Sequence, residues 1–204
     1  MMCDPDCGVL VVATSNRHKY GEMVSLLEGV PFRLASLSDF DGIEPVEEGD
    51  GSYFENASLK ARSFSKQTGF PAIADDTGLE IDCLGGAPGI RSARFFGESV
   101  PYEERNRSLL ELVDNAGGSR AARFVCHAVI ASGDEIVASF EGELRGSIAH
   151  SPDGRGGFGY DPIFFVDSLG VTLASVPPEV KNRISHRAVA FSKAAEFLRS
   201  FKRR

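Results

Sequence analysis

The spacing of apolar positions changes along the chain, and each change marks an element. Gly8–Thr14 (GVLVVAT) is a short, nearly unbroken apolar run, the pattern of a strand buried on both faces. Tyr20, Met23, Val24 and Leu27 then recur at i, i+3, i+4 and i+7, one face of a helix that Gly29 and Pro31 close. Phe32–Ala35 predicts a second strand. Ser52 and Glu55 form a capping box ahead of a helix whose apolar positions are Phe54, Ala57, Ala61 and Phe64, ended by Gly69 and Pro71. Pro71–Ala74 (PAIA) predicts another buried strand, stopping at Asp75-Asp76. A third helix is expected around Pro101–Val113. Ala122–Ser132 and Glu135–Glu141, separated by Gly133-Asp134, predict a β-hairpin. A Gly-rich loop (Ser151–Tyr160) precedes the strand Ile163–Val166, and Ser185 caps a last helix with Phe191, Ala194, Leu198 and Phe201 as its stripe. The alternation predicts a mixed α/β fold with long antiparallel strands in its second half.

Composition narrows the function classes. At 204 residues, 42% of them apolar, the chain has material for one core and one domain. Lys and Arg number 22 against 29 Asp and Glu, a net charge of −7, which argues against coating nucleic acid or an anionic membrane. It leaves room for one phosphate-sized basic pocket. The apolar runs Val9–Ala13 and Pro162–Val166 fall far short of the roughly 18 residues a spanning helix needs. The first residues carry acids where a signal peptide needs cations. Cys3, Cys7, Cys83 and Cys126 are too scattered for a disulfide framework. The expected location is the cytoplasm, with residues 1–8 a loose tail and 9–204 one domain.

Four constellations could carry chemistry. Thr14-Ser15-Asn16-Arg17-His18-Lys19 joins a buried strand to a helix, where free N–H groups, hydroxyls and a Lys suit a phosphate or simply a polar N-cap turn. Between Arg33 and Lys60 the chain carries seven acids and no Lys or Arg; most read as a solvated loop, but Glu47 and Glu48 sit just before a helix start, where a hard cation could use them. Asp75-Asp76-Thr77-Gly78 follows a buried strand, the usual place for ligand chemistry in an α/β sheet, and is read as functional over a plain Asx turn. Gly154-Arg155-Gly156-Gly157-Phe158-Gly159 matches a dinucleotide fingerprint by letter only, since it leads through Pro162 into a strand and not a helix. That loop presents Phe158, Tyr160 and Asp161, groups able to stack on a base and read its edge. Lys181 and Ser185-His186-Arg187 add cations near the last helix. Cys126-His127 is no catalytic pair, because strand neighbours point to opposite faces.

The segments VVATSNRHK, EEGDGSYFENASLKAR, AIADDTGLEIDCLGGAPGIRSAR, GFGYDPIFF and ISHRA, in this order, resemble the non-canonical purine nucleoside triphosphate pyrophosphatases, the inosine triphosphatase family. The resemblance implies an elongated mixed sheet in two lobes around a nucleotide-binding cleft. It implies hydrolysis of XTP, ITP and dITP to the monophosphate and pyrophosphate, with Mg²⁺ as cofactor and a homodimer as assembly. By the same resemblance the phosphate loop is Thr14, Ser15, Asn16, Arg17, His18 and Lys19, joined by Lys60. The metal ligands are Glu47 and Asp76, with Asp76 also catalytic and Thr77 touching substrate. The base pocket is Phe158, Gly159, Tyr160, Asp161, Lys181, His186 and Arg187. Thr77 stands where many members carry Ser, keeping the hydroxyl, and Arg91 where an aromatic is common. A septum-inhibition-type pyrophosphatase of other base preference, or a nucleotide sensor without turnover, are the competing readings; the FGYD and SHR segments speak against the first and the intact acids and lysines against the second.

Overall fold

The computed structural model describes residues 8–97 and 99–201. Cys3 and Cys7 lie outside them. In chain order the elements are β1 (Gly8–Val12), α1 (Arg17–Leu26), β2 (Phe32–Ser36), α2 (Tyr53–Thr68), β3 (Ala72–Ile81), β4 (Pro88–Gly89), α3 (Tyr102–Ala116), β5 (Ala121–Ser132), β6 (Glu135–Ile148), β7 (Phe164–Val166), β8 (Val171–Thr172), α4 (Pro178–Ile184) and α5 (His186–Ser200). This is the expected mixed α/β fold. Gly8, assigned by the sequence reading to the tail, opens β1 opposite Phe32.

The chain divides into two compact units, and β3, β5 and β6 each contribute residues to both. The first unit comprises the residues up to Asp76, Cys126–Gly142 and those from Arg187 on. Its strands follow the order β2-β1-β3-β5-β6, with β1 parallel to both β2 and β3. Because side chains alternate along a strand, this sheet sorts its apolar residues into two cores. Leu10, Val12, Ile73, Cys126, Ala128 and Ile130 pack against Met23 and Leu27 of α1 and Phe191, Ala194 and Leu198 of α5. Val11, Ala13, Ala72, Ala74, Val129 and Ala131 pack against Ala57, Ala61 and Phe64 of α2. The small residues facing α2 let that helix lie close to the sheet.

The second unit comprises Thr77–Val125 and Glu143–His186. Its core joins Leu79 and Ile81 of β3, Leu109 and Val113 of α3, Phe124 of β5 and Phe164 of β7 with Tyr160 and Ile163. β7 pairs antiparallel with β6 and β8. Helix α4 is short, lacks an apolar repeat long enough to read, and was not foreseen.

Two local signals hold as read. Ser52 caps α2, its hydroxyl accepting from the Glu55 amide at 3.2 Å and donating to the Glu55 carboxylate. Gly69 ends the helix at φ +74°, a left-handed conformation that a Cβ would strain. One expectation fails. The strand predicted to stop at Asp75-Asp76 runs on to Ile81, so both acids lie inside it and are buried. A strand interior excludes unpaired charge, and the exception holds here because each carboxylate meets cations.

Candidate active site

Asp75 and Asp76 inherit the alternation of β3 and therefore face opposite helices. Asp75 shares its side of the strand with Ile73 and meets α1 and α5; Asp76 shares its side with Ala72 and Ala74 and meets α2.

On the α1/α5 side, Lys19 stands one helical turn before Met23, so the stripe that packs α1 also brings its ammonium to Asp75, at 3.1 Å. Arg187 heads the apolar stripe of α5 and is 2% exposed. Its Nε and Nη2 donate to Asp75 Oδ2 at 3.2 and 3.0 Å, and its Nη1 to Glu22 Oε2 at 2.6 Å. Burial alone would favour the neutral form of Arg187; Asp75 and Glu22 outweigh it and hold the guanidinium charged above its ordinary value.

On the α2 side, Asn56 and Lys60 lie four residues apart beside the Ala57/Ala61 stripe. Asn56 Nδ2 donates to Asp76 Oδ2 at 3.2 Å and to the Gly49 carbonyl at 3.1 Å, while its Oδ1 accepts from the Gly49 amide at 2.9 Å. Lys60 Nζ reaches Asp76 Oδ1 at 3.5 Å and is also bonded by the Glu48 carboxylate. Burial lifts the Asp76 carboxyl above the usual aspartate range, against the pull of Lys60. For Lys60, burial pulls down, but Asp76, Asp75 and Glu48 together raise the ammonium above its ordinary value.

The strand-to-helix turn forms as an N-cap. Asn16 Oδ1 accepts from the amides of His18 and Lys19 at 3.0 and 3.2 Å, and Thr14 Oγ1 accepts from the Asn16 amide at 3.2 Å. Ser15, Arg17 and His18 are exposed around it.

The second unit gathers a separate set. Asp161 Oδ2 accepts from the Phe158 amide at 2.7 Å and from Lys181 Nζ at 2.6 Å, and Lys181 lies 4.7 Å from the Phe158 ring centroid. Gly157 and Gly159 both take φ +68°, which lets the loop fold back over Asp161. Tyr160 is turned into the core, 3% exposed, with its hydroxyl donating to the Ser92 carbonyl at 2.9 Å; burial keeps the phenol a neutral donor. His186 stacks on Phe124, ring centroids 4.6 Å apart. Thr77 is half-buried at the start of this unit.

The structure thus brings Lys19 to Arg187 through Asp75, and Lys60 to Asp76. Glu47 is exposed, and it is Glu48 that reaches Lys60. Glu22 and Asn56 were missed as site residues, and Asp75 and Glu48, which stand in the candidate constellations, received no role from the resemblance. The signal for Asp75 was present, since period-2 alternation beyond Ala74 already sends it to the face of Ile73. The residues facing Asp76 carry no such signal, because they come from another element.

A hard divalent cation suits the α2 side. Asp76 and Glu48 carry two negative charges against the one of Lys60, and both offer carboxylate oxygens. Among the described residues no group of three or more His, Cys, Asp or Glu side chains forms a complete metal cage. Mg²⁺ held by one or two carboxylates and substrate phosphates needs none.

Fold and site together define a mixed α/β protein whose central strand holds two buried acids, one paired with cations from α1 and α5 and the other with a cation from α2. The chain belongs to the Ham1 family, whose model matches residues 10–197. A dITP/XTP pyrophosphatase of Geobacter sulfurreducens is 46% identical over 184 residues, spanning 90% of this chain and 92% of that protein. One of Shigella flexneri is 44% identical over 194 residues, spanning 94% and 98%. The structure of a HAM1 protein from Coxiella burnetii superposes with a TM-score of 0.87 at 38% identity, covering 94% of this chain and 98% of that one.

Proposed function

We propose that residues 9–204 act as one domain hydrolysing XTP, ITP and dITP to the nucleoside monophosphate and pyrophosphate. The observation that carries the reading is that relatives named dITP/XTP pyrophosphatase align along nine-tenths of the chain, and that the family model spans residues 10–197, the stretch that holds both strand acids and the cations paired with them. The competing sensor reading has no observation in its favour.

In this reaction Asp76 orients a water for attack on the α-phosphorus and accepts its proton. A carboxyl raised by burial is a stronger base than a solvated one, which suits the task. Asn56 and Lys60 fix its two oxygens, so the base is aimed before substrate arrives. Lys19, Lys60 and the turn Thr14–His18 hold the phosphates, and Thr77 contacts the substrate beside them. Asp76 with Glu47 and Glu48 would hold Mg²⁺, which would supply neutralisation of negative charge on the phosphates. Phe158 offers a ring for stacking, Gly159 and Tyr160 set its loop, and Asp161, Lys181 and His186 supply polar contacts to the base.

Base selection rests on donor sign. Hypoxanthine and xanthine present a carbonyl acceptor at position 6, where adenine presents an amino donor. Arg187 has five N–H donors and no acceptor, and the strand and helix carboxylates engage three of them. A group that only donates suits a carbonyl and opposes an amine. The same reading extends to a homodimer working in the cytoplasm. A panel of ITP, dITP, XTP, GTP and ATP with Mg²⁺, assayed separately for pyrophosphate and orthophosphate, tests it. The expected products from ITP, dITP and XTP are pyrophosphate and the monophosphate; orthophosphate with a diphosphate overturns the assignment.

A further inference from the structure

The reaction as described makes no use of Arg105 and Asn106, consecutive residues of α3 that are 1% and 4% exposed. Arg105 is a buried cation: its guanidinium donates to the carbonyls of Ser92, Ala93, Gly97 and Val100, and lies 4.7 Å from the Tyr102 ring centroid. The Ser92 carbonyl that it fixes is also the acceptor for the Tyr160 hydroxyl. Tyr102, at the head of the same helix, meets Tyr160 edge-on with centroids 5.5 Å apart. Asn106 Nδ2 donates to the Gly159 carbonyl at 3.1 Å. Both residues that follow Phe158 are therefore held by the first turns of α3.

Asn106 is costly to keep. Its Oδ1 is buried without a hydrogen-bond partner, and turning the amide over would set oxygen against the Gly159 oxygen. A position needed only for packing is better served by an apolar side chain of similar size. An Asn retained with one orphan atom points to the bond made by the other.

We propose that Asn106 is a positioning residue for base recognition, holding the Gly159 carbonyl so that the Phe158 ring is presented to the purine, while Tyr102 and Arg105 brace Tyr160 from the same helix. The inference rests on the reading that Phe158–Asp161 takes the base. It adds a residue that touches neither base nor phosphate, and it separates the two halves of substrate binding experimentally.

The test uses the full chain with Mg²⁺, ITP as substrate and inorganic tripolyphosphate, which has no base, as a competitive inhibitor. Asn106→Leu removes the donor while keeping the branching and heavy-atom count of the side chain, and also removes the orphan oxygen. It should raise KM for ITP about tenfold, with kcat within about twofold and the tripolyphosphate Ki unchanged. An unchanged KM overturns the proposal, as does a rise in KM matched by an equal rise in Ki, which is the signature of a loosened fold. Tyr102→Leu is a second arm at a side chain 39% exposed, so its loss opens no core. It should give a smaller rise in KM, again with Ki unchanged, and an unchanged KM there also counts against the proposal, whether or not the Asn106 variant folds. If the unaltered protein fails to hydrolyse ITP, or tripolyphosphate fails to compete, the functional reading itself is at fault.

Discussion

Asp75 and Asp76 are neighbours on β3 that reach to opposite sides of the sheet: Asp75 accepts from Lys19 and Arg187, Asp76 from Lys60 and Asn56. Strand alternation gives one short acidic motif two jobs, one on each side of the sheet. The side of Asp75 pairs two cations with two carboxylates, whereas the side of Asp76 carries one more negative charge than positive.

Asp76→Asn should abolish most turnover without unfolding the protein. Burial raises the Asp76 carboxyl above its unfolded value, so the folded protein holds that proton more tightly. A group shifted this way stabilises the fold below its unfolded pKa and loses that contribution as pH rises through the folded pKa. At neutral pH its charge is therefore a cost, which the amide removes while giving up about one hydrogen bond. Stability by urea titration should stay within about 1 kcal/mol, while kcat falls about 100-fold or more. Wild-type turnover in this variant would falsify the catalytic role.

Lys60→Met should move the acid limb of the pH–rate profile upward. Lys60 is the main influence opposing the effect of burial on Asp76, so removing it raises that carboxyl further. The base then needs a higher pH to ionise, and kcat/KM should start to fall at higher pH than in the wild type. An acid limb that stays in place, with only KM altered, would show that Lys60 acts on phosphate alone.

Arg187→Ala should cost far more stability than a surface substitution. It leaves Asp75 and Glu22 buried without their guanidinium partner, and breaking such a pair from one side costs about 3–5 kcal/mol. Base selectivity is better read in Arg187→Lys, which keeps the charge but loses the forked donors. The ratio of kcat/KM for ITP over ATP should narrow, and a ratio equal to wild type would remove Arg187 from base readout.

Phe158→Ala should weaken ITP and ATP alike. A stacked ring recognises any purine face, so KM should rise for both in similar proportion, by about 1 kcal/mol. A selective loss on one purine would assign Phe158 a different contact.

Mg²⁺ removal by EDTA should stop pyrophosphate release while leaving the melting temperature unchanged to within a few degrees. The described carboxylates already have Lys60 as a partner, so folding does not wait on the metal. A large loss of stability on chelation would point to a structural ion instead.

The sequence by itself determined the elements that its apolar spacing encodes. The α2 stripe, the N-cap at Ser52 and the hairpin around Gly133 are local patterns, set by residues within one or two turns of each other. It also marked Asp76, Lys19, Asp161 and Lys181, because charge inside or beside apolar runs is expensive and therefore conspicuous, while Lys60 came from the family resemblance. Tertiary structure alone decided who neutralises whom. Arg187 lies 112 residues from Asp75 and 165 from Glu22, and no periodicity connects positions so far apart. The length of β3 was misread for the same reason: two adjacent acids look like the end of a buried strand until cations from α1, α2 and α5 arrive to pair them. Glu48 rather than Glu47 meeting Lys60, and Tyr160 turning inward to Ser92, are likewise outcomes of packing. Local sequence fixes which face of an element is apolar, but the partner across the sheet is chosen only when the whole chain has folded.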